Sequence, residues 1–115
     1  MAAFDQIEEV RPSPQFGNTG PEGWGFTLWG GACAEDVHRN LLEGLAKTYP
    51  TSSLTLPPWY DGEDLVEGSL TWQGVPIWVW FETVLNHTYL WSADQAAVVS
   101  LREALLPIAR SMGSR

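Results

Sequence analysis

The run from Leu65 to Phe81, LVEGSLTWQGVPIWVWF, decides the fold. Its first half alternates, with Val66, Gly68, Leu70 and Trp72 on one side of an extended chain and Glu67, Ser69, Thr71 and Gln73 on the other; this predicts an amphipathic strand over Leu65 to Gln73. The second half, from Val75, has almost no polar position. Val75, Ile77, Val79 and Phe81 share one face of a strand, and Trp78 and Trp80 take the opposite face. Gln73-Gly74 between them supplies a two-residue hairpin turn. That turn sets Leu70 against Ile77, Gly68 against Val79 and Val66 against Phe81 on a core face. Glu67 then lies across from Trp80, and Ser69 from Trp78.

Outward from this hairpin, Asn86-His87 predicts a second two-residue turn into a strand over Thr88 to Trp91, with Glu82 across from Trp91 and Val84 from Tyr89. A four-residue loop at either turn keeps the same parity. Trp78, Trp80, Tyr89 and Trp91, flanked by Glu67 and Glu82, therefore share one surface. Each large aromatic buries ~150 to 250 Å², so four approach ~600 to 1,000 Å². That exceeds the ~300 to 600 Å² of the largest apolar patch on a typical monomer, and the face needs a cover. The cover is either the chain itself, through a helix or through Phe4, Ile7, Val10 and Phe16 of an N-terminal arm, or a ligand or partner.

Trp24, Phe26 and Leu28 alternate with Gly25, Thr27 and Trp29, a first strand that stops at Gly30-Gly31. Val37, Leu41, Leu45 and Tyr49 recur every four residues and predict a helix over Ala34 to Tyr49, with Glu35 and Asp36 at its positive end and Pro50 closing it. A short strand is expected at Ser53 to Leu56, before Pro57-Pro58 leads into the acidic loop Trp59 to Asp64. In the last helix Val98, Leu101, Leu105 and Ile108 form the buried stripe, Ser92 and Gln95 a capping box, and Pro107 a kink or an end near Leu106. The stretch Arg11 to Gly23, RPSPQFGNTGPEG, reads as a surface arm. Ahead of it, Phe4, Ile7 and Val10 fit either one short helical turn or an extended segment docked on the body.

The fold class is thus α+β, a two-layer sandwich of a mostly antiparallel sheet with four to five strands and two helices, in the order β-α-β-β-β-β-α. Residues 1–22 form the arm, 23–110 a single domain and 111–115 a frayed tail. A chain of 115 residues with 44% hydrophobic and 17% charged residues is long and apolar enough for one folded core.

Its 14 acidic against 6 basic residues give a net charge of −8, which disfavours nucleic acid and anionic membranes and favours a basic partner. The lone Cys33, the acidic N-terminus and the lack of a long apolar run lead to an expectation of a cytoplasmic protein without a membrane span.

Catalytic and metal signatures are sparse. Cys33, Asp36 and His38 match no common zinc spacing, and a solvated helix face accounts for Asp36 and His38 better; His87 falls in a predicted turn, where a surface histidine is expected. Glu67 and Glu82 form the best carboxylate pair, yet strand acids beside tryptophan are more often the wet rim of a sheet than a glycosidase pair. Asp61, Glu63, Asp64 and Glu67 lack the full calcium-loop pattern. We therefore expect no enzyme, no cofactor and no metal.

Small size, strong acidity and an aromatic face beside an acidic loop point to a non-catalytic inhibitor that binds a basic or nucleic-acid-directed toxin or effector. Asp61, Glu63, Asp64, Glu67, Trp78, Trp80, Glu82, Tyr89 and Trp91 are its candidate contacts. In size, charge and element order over about Gly23 to Arg110, the chain resembles the small acidic immunity proteins of bacterial toxin systems. The run DLVEGSLTWQGVPIWVWFE, followed by a tyrosine-containing strand and a helix, carries most of this likeness. It implies a protein partner and transfers no residue role. The alternatives are a carbohydrate or small-ligand module that stacks on Trp78, Trp80 and Trp91, a DNA mimic, and a homodimer closed through the tryptophan face.

Overall fold

In the computed structural model, which describes residues 4–16, 19–31, 37–58, 65–82 and 84–112, six strands form one antiparallel sheet with two helices packed on one side. The strands are β1 (Phe4–Ile7), β2 (Arg11–Pro14), β3 (Glu22–Gly30), β4 (Leu65–Trp72), β5 (Val75–Glu82) and β6 (His87–Ser92). The helices are α1 (Val37–Thr48) and α2 (Gln95–Met112). The sheet runs β1-β3-β6-β5-β4, and β2 shares the outer edge of β3 with β1. The α+β expectation holds, with a sheet larger than expected because the arm supplies two strands.

The β4–β5 hairpin has the predicted register at every pair, from Leu70 with Ile77 to Glu67 with Trp80. Its turn works because Gln73 (φ 52°) and Gly74 (φ 80°) both take positive φ, which matches the twist of the flanking strands. The second turn differs. Glu82 pairs with His87, Trp80 with Tyr89 and Trp78 with Trp91, so the connection is four residues long and Asn86 (φ 61°) closes it. The register moves by an even number, so no side chain changes face.

The core lies between the sheet and the helices. Phe26, Leu28, Val66, Leu70, Ile77, Val79, Phe81 and Leu90 meet Leu41, Leu42 and Leu45 of α1 and Val98, Leu101 and Leu105 of α2. Trp72 is buried with them, and its indole N–H donates to Ser100 Oγ at 3.1 Å, which fastens β4 to α2. Ile108 is only half-buried, and Ala97 and Ala109 complete the stripe.

The arm is the largest departure from expectation. Arg11–Pro14 pairs with Gly25 to Glu22 as a strand, despite two prolines. Proline is tolerated on an edge strand because only alternate N–H groups face the single neighbour. Gln15, two residues past Ser13, continues that alternation by donating to the Pro21 carbonyl at 2.9 Å. Phe4–Ile7 is likewise extended, with Phe4 in the core. Arg102 of α2 holds the following turn through the carbonyls of Glu8 (2.7 Å) and Ile7 (3.2 Å).

Five smaller expectations are corrected. Helix α1 ends at Thr48, and Tyr49 beyond it is partly exposed, with its ring edge-on to Trp72. Ser53 to Leu56 makes a single bridge, Thr55 with Ser69, before Pro57 ends it; a side chain at Gly68 would strike the Thr55 carbonyl at 2.5 Å. The cap of α2 is Asp94, whose Oδ1 accepts from Ala97 N, while Ser92 Oγ accepts from Asp94 N; no Ser92–Gln95 box forms. Helix α2 runs through Pro107 to Met112. The N–H missing there belongs to the solvent face, where water can serve the freed Glu103 carbonyl. Ser111 and Met112 are helical rather than frayed. The start of the expected helix at Ala34 to Asp36 and the loop Trp59 to Asp64 lie outside the described residues.

Candidate functional site

The sheet face turned away from the helices is ordered by register into three rows. Gly25, Trp91, Trp78 and Ser69 form the first, Thr27, Tyr89, Trp80 and Glu67 the second, and Trp29, His87, Glu82 and Leu65 the third. The arm covers one corner. Trp91, though paired with Trp78, is 8% exposed, and its indole N–H donates to the Ser13 carbonyl at 2.9 Å. Tyr89 reaches the same strand, its hydroxyl 2.6 Å from Ser13 Oγ and 3.3 Å from the Pro14 carbonyl. Burial pushes the Tyr89 phenol up from its ordinary pKa, so it stays protonated.

The rest of the face is an open cleft of about 280 Å³ lined by Gln15, Phe16, Thr27, Trp29, Trp78, Trp80, Glu82, His87 and Tyr89. Trp78 is its hub. Its ring meets Trp80 at 5.2 Å, Phe16 at 5.3 Å and Tyr89 at 6.1 Å between centroids, each pair near perpendicular. These are the edge-to-face contacts that aromatic quadrupoles favour.

Three indoles are fixed by carboxylates. Trp78 Nε1 donates to Glu67 Oε2 at 2.5 Å, Trp80 Nε1 to Glu82 Oε1 at 3.0 Å, and Trp29 Nε1 to Glu8 Oε2 at 2.9 Å. Burial alone would raise the Glu8 pKa, but bonds from Trp29 and Arg11 together with the Arg11 charge hold it below the ordinary value, so Glu8 is ionised. Arg11 is bound to Glu8 in an ion pair, and among the described residues no lysine or arginine lines the cleft.

His87 stands in the third row, half-buried and edge-on to Trp29 at 5.0 Å, not on an open turn. Its Nδ1 is buried without a hydrogen-bond partner. Burial lowers its pKa against the pull of Glu82 and Glu8, so the ring is neutral at pH 7.

His38 is also not the solvated helix residue expected; it is 1% exposed on the core side. Asn86 Nδ2 donates to the Gly30 carbonyl at 2.8 Å, which turns its Oδ1 toward His38 Nε2 at 2.9 Å. Nε2 therefore carries the proton, and Nδ1 accepts from Thr88 Oγ1 at 2.5 Å. This network joins α1 to the loop that closes β5 and β6. The signal was present in the sequence, since His38 falls on the stripe it shares with Leu41, Leu42 and Leu45.

Of the candidate contacts, the cleft brings together Trp78, Trp80, Glu82 and Tyr89, with Glu67 bonded to Trp78 at its margin. Trp91 lies beneath the arm, and Asp61, Glu63 and Asp64 are outside the described residues. Phe16, Trp29, His87 and Glu8 join the site without having been singled out for it as partner contacts. Among the described residues no group of three His, Cys, Asp or Glu is placed to hold a metal, and no helix is long and apolar enough to cross a membrane. Comparison with protein-family models, with curated proteins and with solved structures finds no match. The fold and the site geometry alone define the class, an α+β domain with an acidic aromatic cleft on its open sheet face.

Proposed function

We propose that the chain is a non-catalytic, acidic protein-binding inhibitor of the immunity or antitoxin kind, which neutralises a basic or nucleic-acid-directed toxin or effector. The carrying observation is a set of exposed apolar side chains beyond the cleft lining. Leu65 (49% exposed) ends the third row, Val84 (76%) and Leu85 (58%) lie in the β5–β6 connection next to it, and Phe16 and Trp29 line the cleft. A small molecule would leave Leu65, Val84 and Leu85 bare, whereas a protein footprint has a use for them. The carboxylates of Glu8, Glu67 and Glu82 surround the rings, and in sequence Asp61, Glu63 and Asp64 run directly into Leu65. Acidic groups around aromatic anchors favour a basic partner, with charge steering the encounter and the rings supplying affinity.

The test is a pull-down from the native cell at low and high salt. One basic protein should be retained, less at high salt and less again when Asp61, Glu63 and Asp64 are neutralised. Retention of no protein at low salt would end this reading. The preformed cleft itself favours a second reading, a carbohydrate or other small-ligand module, because such sites are concave and aromatic.

A further inference from the structure

The rings of the cleft are set across one another. Phe16, Tyr89 and Trp80 stand at 83°, 77° and 74° to Trp78, all with centroids within 6.1 Å of it. Rings so crossed do not offer one broad plane for stacking against a flat sugar face; they surround a small volume with several π-systems. The edge of an aromatic ring is its positive part and the face its negative part. In Trp29, Trp78 and Trp80 the indole N–H edge is already taken by Glu8, Glu67 and Glu82. A ligand is left those ring faces that the edge-to-face contacts do not cover, next to the carboxylates of Glu67 and Glu82, whose lone pairs one indole does not exhaust. Among the described residues no lysine or arginine lines the cleft, and the neutral His87 adds no opposing charge.

We propose that the cleft is a cation–π cage that receives the guanidinium of an arginine presented by the basic partner, an inference that rests on the protein-binding reading above. Guanidinium suits it better than the lysine ammonium, being planar, less strongly hydrated and able to stack on a ring while it hydrogen-bonds a carboxylate in its own plane. Trp78, Trp80 and Tyr89 supply the ring faces, and Glu82 the counter-charge within the cleft.

The test uses the whole chain and two probes of nearly the same shape, N-acetyl-arginine methylamide and its neutral citrulline counterpart, followed by the NMR signals of the tryptophan indole N–H groups. The arginine probe should shift the signals of Trp29, Trp78 and Trp80 saturably, and the citrulline probe should bind at least about tenfold more weakly. Glu82→Gln and Trp80→Leu should each weaken the arginine response, with the backbone spectrum showing that the fold is kept. Equal binding of both probes, or no saturable response to arginine, would overturn the cage. A protein partner retained in the pull-down while the arginine titration is silent sinks the cage alone. A responsive titration with no protein retained sinks the protein partner, and with it the claim that the arginine comes from one.

Discussion

Trp78 and Trp91 are direct partners across the β5–β6 ladder, yet the arm seats one and leaves the other as the hub of the cleft. The difference arises from Ser13, whose carbonyl accepts from the Trp91 indole N–H, while Phe16, three residues on, meets Trp78 edge-to-face at 5.3 Å between centroids. Two residues of the same type on the same face thus have different work to do.

Replacement separates those roles. Trp91→Ala removes a nearly buried indole and leaves the Ser13 carbonyl without its donor, and should cost about 3 to 5 kcal/mol in urea unfolding. Trp80→Ala removes a half-buried wall of the cleft and should cost less than about 2 kcal/mol. A larger loss at Trp80 than at Trp91 would mean that the cleft wall is structural.

Gly25 makes room for Tyr89. A Cβ there would lie 2.7 Å from the Tyr89 hydroxyl oxygen and 2.9 Å from the Leu90 carbonyl, and the tyrosine cannot easily yield because Ser13 and Pro14 hold its hydroxyl. Gly25→Ala should therefore destabilise the protein by about 1 to 3 kcal/mol and shift the NMR signals of Tyr89 and Ser13.

The two histidines set a pH dependence of stability. Burial lowers the pKa of both His38 and His87 in the folded protein below the ordinary 6.5. As pH falls through 6.5 the unfolded chain takes up protons first, so stability is full above that value and is lost as pH falls toward the lowered folded pKa values. Unfolding midpoints measured from about pH 7.5 to about pH 5 should decline accordingly. In His38→Gln the decline should be shallower, because only His87 then contributes.

Much of this was legible in the sequence, and the exceptions have physical reasons. The β4–β5 register could be read because Gln73-Gly74 fits a two-residue turn and both flanking strands alternate cleanly. The next turn could not, because Asn86 lends itself to a short turn as readily as to the end of a four-residue loop; parity alone survived, and with it the membership of the aromatic face. Arg11–Pro14 was hidden because proline within a strand pattern reads as a break unless the strand lies at a sheet edge, and an edge is a tertiary fact. The cleft was half legible. Trp78, Trp80, Glu82 and Tyr89 follow from alternation, but Phe16 enters only because the arm folds back beside β3, and Trp29 only because β3 pairs with β6.

One comparison tests where the partner binds: its retention, at low salt, by the wild-type chain and by Trp80→Ala of confirmed fold. The wild type should hold a basic protein that is released as salt rises, and Trp80→Ala should hold at least about tenfold less of it. Equal retention by the two chains would contradict the claim that the aromatic cleft is where this protein binds.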